Sequence, residues 1–148
     1  MIALGCDHAG YPLKETIKAY LNSVGIQYKD FGTYSEESVD YPIYAAKTAH
    51  AVADGECEKG ILCCGTGIGI SIAANKVKGI RAAVCSDEYS AEMTRKHNDA
   101  NILCMGARVI SDEKAISLVK IFLSTEALHE ERHMRRVQML RDMENDKM

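Results

Sequence analysis

The sequence predicts an α/β protein: one three-layer α/β/α domain over residues 1–148, built on a five-stranded parallel sheet with an added C-terminal helix. Two observations carry this. Short apolar runs alternate with amphipathic stretches, the pattern of consecutive βαβ units. The runs also lack inside/outside alternation, as expected of parallel strands covered by helices on both faces. A length of 148 residues fits one domain of ordinary size.

Each element has its own signal. Ile2–Cys6 reads as the first strand and Asp7–Gly10 as a turn. Pro12 suits the first turn of a helix running to about Val24, and Gly25 stops it. Ile26–Phe31 is the second strand, and the polar stretch Gly32–Tyr41 reads as a loop. Pro42 opens a second helix with apolar residues at Ile43, Ala46, Ala49 and Val52. Gly60–Cys64 is a fully apolar third strand, followed by a glycine-rich loop and a helix to about Lys76. Gly79 precedes the fourth strand, Ile80–Cys85. Ser86 or Asp87 can cap the next helix, which ends near His97. Ile102–Met105 is the fifth strand, helices follow near Ser111–Leu123 and Glu130–Met143, and Glu144–Met148 is expected to fray.

Composition narrows the function classes. At 47% hydrophobic and 26% charged, the chain can bury a core and stay soluble. A net charge of −3 argues against nucleic acid as the main partner, because phosphate-backbone binding needs a basic surface. No apolar run is long enough for a bilayer, and Met1–Gly5 lacks the basic start of a signal peptide, so a cytoplasmic protein without a membrane partner is expected. The six cysteines are then reduced. None are spaced Cys-x-x-Cys, which removes support from zinc-ribbon and thioredoxin-like readings. Most are expected to be small core residues.

Open parallel sheets bind ligands beyond the carboxyl ends of their strands. Three polar clusters fall there: Asp7-His8, Cys64–Gly69 and Ser86-Asp87. Gly65, Gly67 and Gly69 occupy a strand-to-helix turn, where glycine allows unusual dihedrals and close ligand approach. Amides at such a turn favour an anion, either a phosphate or a developing oxyanion. The loop fits neither a Walker sequence nor G-x-G-x-x-G, and no Arg stands six positions after Cys64 as in a phosphatase-type loop. A turn that merely packs helix on strand is the competing reading.

Cys63 and Cys64 face opposite sides of a strand. Cys64 lies at the mouth of the following helix, which favours a thiolate, and Cys63 is expected to be buried and inert. From the residues alone, Cys64 is either reactive or a further core thiol. Asp7 either caps the first helix or joins His8 in a polar site. His97 closes a helix, whose C-terminal dipole suits a proton donor, although contact with terminal carbonyls is the commoner fate there. His50 reads as a surface residue.

In the last helix, Arg132 and Arg136 share a face and have no acidic residue three or four positions away, whereas Arg135 has Glu131. Such a pair calls for an external anion, for a distant carboxylate, or for solvent alone.

These residues resemble a known family. Gly5–Gly10, Asp40-Tyr41-Pro42, Cys64–Ser71 with Ala74-Asn75-Lys76, His97–Asn101 and Gly106-Ala107-Arg108 resemble ribose-5-phosphate isomerase type B. That family of small Rossmann-like sugar-phosphate isomerases includes the galactose-6-phosphate isomerase subunits. The resemblance implies interconversion of D-ribose 5-phosphate and D-ribulose 5-phosphate in the pentose phosphate pathway, with no cofactor and no metal. It makes Cys64 the base that moves a proton between C1 and C2. It makes His97 the acid for ring opening, with Asp7 near the sugar and Thr66 lining the site. The backbone of Gly65, Thr66, Gly67, Ile68 and Gly69 holds the enediolate oxygens. His8, Arg108, Arg132 and Arg136 contact phosphate, and Asn98 and Tyr41 contact the substrate. In the family His97 and Asn98 reach the site from the partner subunit, which implies a homodimer or dimer of dimers.

One branch of the family uses a Glu after the third loop glycine; Ile70 stands there in this chain, which places it in the cysteine branch. Allose 6-phosphate and other phosphosugars stay open as substrates. Outside the resemblance, a non-catalytic phosphosugar-binding module or a thiol redox protein would use the same loop.

Overall fold

The computed structural model describes every residue from Met1 to Met148. Its elements are β1 (Ile2–Cys6), α1 (Tyr11–Ser23), β2 (Tyr28–Asp30), α2 (Tyr41–Ala53), β3 (Lys59–Cys64), α3 (Ile68–Ala74), β4 (Ala82–Val84), α4 (Glu88–Asn98), β5 (Ile102–Gly106), α5 (Asp112–Ser124) and α6 (Glu131–Glu144). The five strands form one sheet in the order β2-β1-β3-β5-β4, and every pairing is parallel.

Strand alternation builds two cores. Leu4, Cys6, Ile61, Cys63, Leu103 and Met105 face one side, where α1 supplies Leu13, Ile17 and Leu21 and α5 supplies Leu118, Val119 and Phe122. Ala3, Leu62, Cys64, Ile102 and Cys104 face the other side and pack against Ala45, Ala49 and Val52 of α2 and Ile70 and Ala74 of α3. With both faces covered, the strands must be apolar throughout, which is why β1 and β5 are buried along their whole length. Helix α6 stands outside the three layers and packs on α4.

The helix starts follow their sequence signals. Prolines sit in the first turns of α1 and α2. Asp87 accepts from the Ser90 amide at the start of α4, and Ser111 from the Lys114 amide at the start of α5. Gly25 follows α1 with φ +72.

Strands β2 and β4 are shorter than the apolar runs Ile26–Phe31 and Ile80–Cys85 predict. Both are edge strands with one neighbour, and backbone hydrogen bonds to it continue beyond their ends, from Phe31 to the Leu4 carbonyl and from Cys85 to the Cys104 carbonyl. Helix α3 ends at Ala74 rather than near Lys76.

The topology places the site. Strands β1 and β3 are adjacent, yet the helices that follow them lie on opposite faces. That divergence opens a crevice at the carboxyl edge, between the β1–α1 turn and the β3–α3 loop.

Candidate active site

The carboxyl edge brings together residues from three strand ends. Asp7 and His8 follow β1, Cys64 ends β3, and the turn Gly106–Arg108 follows β5. That turn is tied to the glycine loop: the Ala107 amide donates to the Cys64 carbonyl at 2.9 Å and the Arg108 amide to the Gly65 carbonyl at 3.0 Å.

Cys64 is 5% exposed. The Gly67 amide donates to its Sγ at 3.1 Å, which fixes the sulfur at the base of the loop. Gly67 itself has φ +80, a conformation that favours glycine. A Cβ there would lie 2.7 Å from the Met105 carbonyl carbon, so the loop is pressed onto β5. The Thr66 hydroxyl accepts from the Ile68 amide at 3.2 Å. The amides of Thr66, Gly69 and Ile70 have no acceptor within the chain. An anion at the loop would fill those donors, as backbone nests generally do.

The surrounding side chains suit such an occupant. Asp7 is buried; one carboxylate oxygen accepts from the Gly10 amide at 3.0 Å and the other has no partner in the chain. Asp7 is therefore both the turn residue and a free acceptor. His8 Nδ1 accepts from the Val39 amide at 3.1 Å, which leaves Nε2 to donate outward. Arg108 is exposed and lies over the loop: a Cβ on Gly65 would stand 3.3 Å from its guanidinium. Tyr41, at the start of α2, lies over Gly69, where a Cβ would stand 2.9 Å from its ring. Arg81, Arg95, Arg132 and Arg135 form ion pairs, and Arg108, Arg136 and Arg141 do not.

The remaining thiols are buried. Cys63 lies in the core on the face opposite Cys64, so the two sulfurs point apart. Burial, with a contribution from Cys6, pushes the Cys63 thiol well above its usual range. Burial likewise raises Cys6 and Cys85 to about 11 and Cys104 well above normal. A redox pair at Cys63 and Cys64 has no geometric basis. No three His, Cys, Asp or Glu side chains converge as a metal site.

Of the polar features the sequence singles out, one serves only as the expected helix cap and another needs correction. Ser86-Asp87 does not join the site. Asp87 is spent on capping, since both its oxygens accept from Ser90, and β5 separates β4 from the crevice. Arg132 is not free of carboxylates, because Glu130 pairs with it at 2.6 Å. Glu130 precedes the helix in an extended conformation, so helical spacing does not reveal the contact.

A further group of expected site residues stands at the other edge of the sheet. His97 and Asn98 end α4, just before β5 begins. The Asn101 carbonyl accepts from the Gly60 amide at 2.9 Å, which sets the end of α4 level with the start of β3. Four strand steps from Gly60 to Cys64 separate the two edges by roughly 13 Å. Arg132 and Arg136 belong to this second group. His133, which lies between them on α6, stacks on His97 with ring centroids 4.4 Å apart and planes 10° apart. The structure thus gathers Asp7, His8, Tyr41, Cys64–Gly69 and Arg108 at one edge, and His97, Asn98, Arg132 and Arg136 at the other. His133 is the neighbour that sequence reasoning missed, since 36 residues separate it from its partner.

The family follows from comparison. A sequence profile described as Ribose/Galactose Isomerase matches residues 2–140. The chain belongs to the ribose/galactose isomerase family. It is 50% identical to ribose-5-phosphate isomerase B of Escherichia coli (strain K12) over 97% of this chain and 95% of that one. It is 47% identical to D-erythrulose-4-phosphate isomerase of Pectobacterium atrosepticum over 84% of this chain and 83% of that one. Among solved structures, ribose-5-phosphate isomerase B of Clostridium thermocellum superposes with a TM-score of 0.96 at 50% identity, covering 99% of each chain. The likeness to this ribose/galactose isomerase family member extends over both sheet edges and α6. No helix is long and apolar enough to cross a membrane.

Proposed function

We propose that the chain interconverts D-ribose 5-phosphate and D-ribulose 5-phosphate, with Cys64 as the base that moves a proton between C1 and C2. The observation that carries this reading is Cys64 Sγ held by the Gly67 amide beside loop amides with no acceptor of their own. A base alone is insufficient, because an α-hydroxy carbonyl proton is weakly acidic.

His97 protonates the ring oxygen of the closed sugar as its bond to C1 breaks, the anomeric hydroxyl loses its proton to solvent, and the open aldehyde results. The Cys64 thiolate takes the C2 proton, the electron pair moves into a C1–C2 double bond, and the former carbonyl oxygen carries the charge. The loop amides stabilise that oxygen, and preorganised donors of this kind typically contribute roughly 3–4 kcal/mol each. Cys64 returns the proton to C1, the 2-hydroxyl proton passes to the oxygen on C1, and the ketose forms. Asp7 and Tyr41 hold sugar hydroxyls. His8, Arg108, Arg132 and Arg136 hold the phosphate, and that remote binding keeps the reacting carbons in place.

The opposite placement of Cys64 and His97 supports a site shared between two copies of the chain. Each loop is then met by His97, Asn98, Arg132 and Arg136 of the partner subunit, in a homodimer or a dimer of dimers. Cytoplasmic pentose phosphate metabolism is the corresponding role. The similarity to a D-erythrulose-4-phosphate isomerase supports a second reading, in which the sugar has a different length.

The test is a coupled assay over tetrose, pentose and hexose phosphates, run on the chain and on Cys64→Ala. Ribose 5-phosphate turns over fastest, and the variant keeps its fold and loses about 10²–10⁴-fold, the usual weight of a positioned base. Near-normal turnover in Cys64→Ala removes Cys64 as the base.

A further inference from the structure

His133 has no role in the reaction as described above, yet its environment is unusual. It is 7% exposed, and its Nε2 is buried without a hydrogen-bond partner. The nearest carboxylate oxygen, on Glu130, stands 3.8 Å away, beyond hydrogen-bond range. Its ring lies flat on His97 at 4.4 Å. A buried polar atom left unsatisfied is costly, so its retention calls for a reason.

We infer that His133 is a positioning residue for His97, fixing the plane of the acid's imidazole by stacking so that its proton points at the ring oxygen of a closed sugar. This rests on the isomerase reading and on His97 as the acid of ring opening.

Three further observations agree. His97 sits at a helix end, where side chains have little else to hold their rotamer, and it is only partly buried. The backbone beneath it is braced: Arg81 Nε donates to the Asn98 and Asp99 carbonyls at 3.2 and 3.0 Å, and the Arg95 guanidinium to the Asp99 carboxylate and the Ala100 carbonyl at 2.9 and 2.6 Å. Those contacts fix where the His97 Cα stands and leave its ring free to rotate; the stack supplies the missing constraint. Burial, Arg132 and His97 itself also lower the pKa of His133. A neutral ring can then lie face to face with a protonated one without charge repulsion.

The substrate offers a way to isolate this step. The aldose exists mainly as a closed ring, so it needs an acid to open. The ketose with a 5-phosphate has no hydroxyl placed to close a five-membered ring, so exchange of its C1 proton with solvent needs Cys64 but no ring-opening acid. The experiment compares His133→Leu and His133→Phe, apolar side chains of comparable bulk that differ in having a flat ring. Aldose turnover and C1 deuterium exchange of the ketose in heavy water are both measured, with His97→Ala and the His97→Ala, His133→Leu double variant alongside.

His133→Leu is expected to lose about tenfold to a hundredfold in aldose turnover, the scale of a misplaced catalytic group, and to keep wild-type exchange. His133→Phe recovers most of the turnover, and the double variant is no slower than His97→Ala. Equal turnover in His133→Leu and wild type, a parallel loss of exchange, or a Phe variant as slow as Leu each overturns the assignment. If wild type turns over no aldose phosphate, or His97→Ala is fully active, the isomerase reading or the role of His97 fails instead.

Discussion

Replacing Gly67 with alanine strikes the point where the loop, the β5 backbone and the Cys64 sulfur meet. The residue has φ +80, and an L side chain held there costs about 1–2 kcal/mol. The new Cβ would stand 2.7 Å from the Met105 carbonyl carbon, 2.9 Å from Val84 Cγ2 and 3.0 Å from the Gly106 nitrogen. Val84 can rotate away, but the β5 backbone cannot, because Met105 and Gly106 are paired with Cys63 and Cys64 of β3. The loop must therefore retreat by roughly 0.7 Å to reach ordinary carbon contact. Overpacking of this kind costs a further ~1–3 kcal/mol.

Against a typical domain stability of about 5–15 kcal/mol the variant still folds, with a melting temperature lower by about 5–15 °C. The same retreat takes the Gly67 amide off Cys64 Sγ. A displacement near 1 Å costs about a hundredfold in rate, so kcat falls by about 30–100-fold. Thermal unfolding and steady-state isomerisation read the two effects separately. A variant melting within about 2 °C of wild type, with kcat within twofold, refutes the reasoning.

Three other substitutions address different parts of the molecule. Arg132→Ala and Arg136→Ala each raise KM about 10–100-fold with little change in kcat, as expected for one charge-assisted phosphate contact, and an unchanged KM in both removes the phosphate role. Asp30→Asn leaves the Lys14 ammonium, whose side chain is 1% exposed, without its 2.6 Å carboxylate partner. The loss is about 3–5 kcal/mol by urea unfolding. Burial alone would raise the Asp30 pKa, but donation from Lys14, the Gly32 amide and Lys18 outweighs it and holds the carboxyl below its usual range. Its contribution is therefore complete above the unfolded value near ~3.9 and fades as pH falls through the folded value. The wild-type urea midpoint drops below about pH 4, and that component of the slope is absent in Asp30→Asn.

Much of the fold is legible because the local and global signals agree. The central strands are apolar on both faces, and Pro12, Pro42, Asp87 and Ser111 mark helix starts that the structure keeps. The edge runs read longer than β2 and β4, although Phe31 and Cys85 still hydrogen-bond to the neighbouring strand.

The family resemblance names the candidate site's residues, and the sequence does not convey where they stand. Cys64 and Cys63 separate by strand alternation alone, and the glycine loop falls at a strand end in the sequence itself. What the chain order does not convey is the edge on which each residue stands. His97 reads as a helix terminus, but only the parallel topology puts that terminus at the start of the strands, away from Cys64. The Arg132–Glu130 pair escapes helical spacing because Glu130 is not yet helical. The His97–His133 stack joins two helices and leaves no periodic trace.

The proposed site is assembled from two chains, with Cys64 from one and His97 from the other. Co-expression of Cys64→Ala and His97→Ala subunits carrying different tags tests it directly. Random pairing makes half the dimers hybrid, and each hybrid has one site with both groups intact. The mixture therefore regains about one quarter of wild-type activity, and purified hybrids about one half. Hybrids no more active than the mean of the two parents would contradict the shared site.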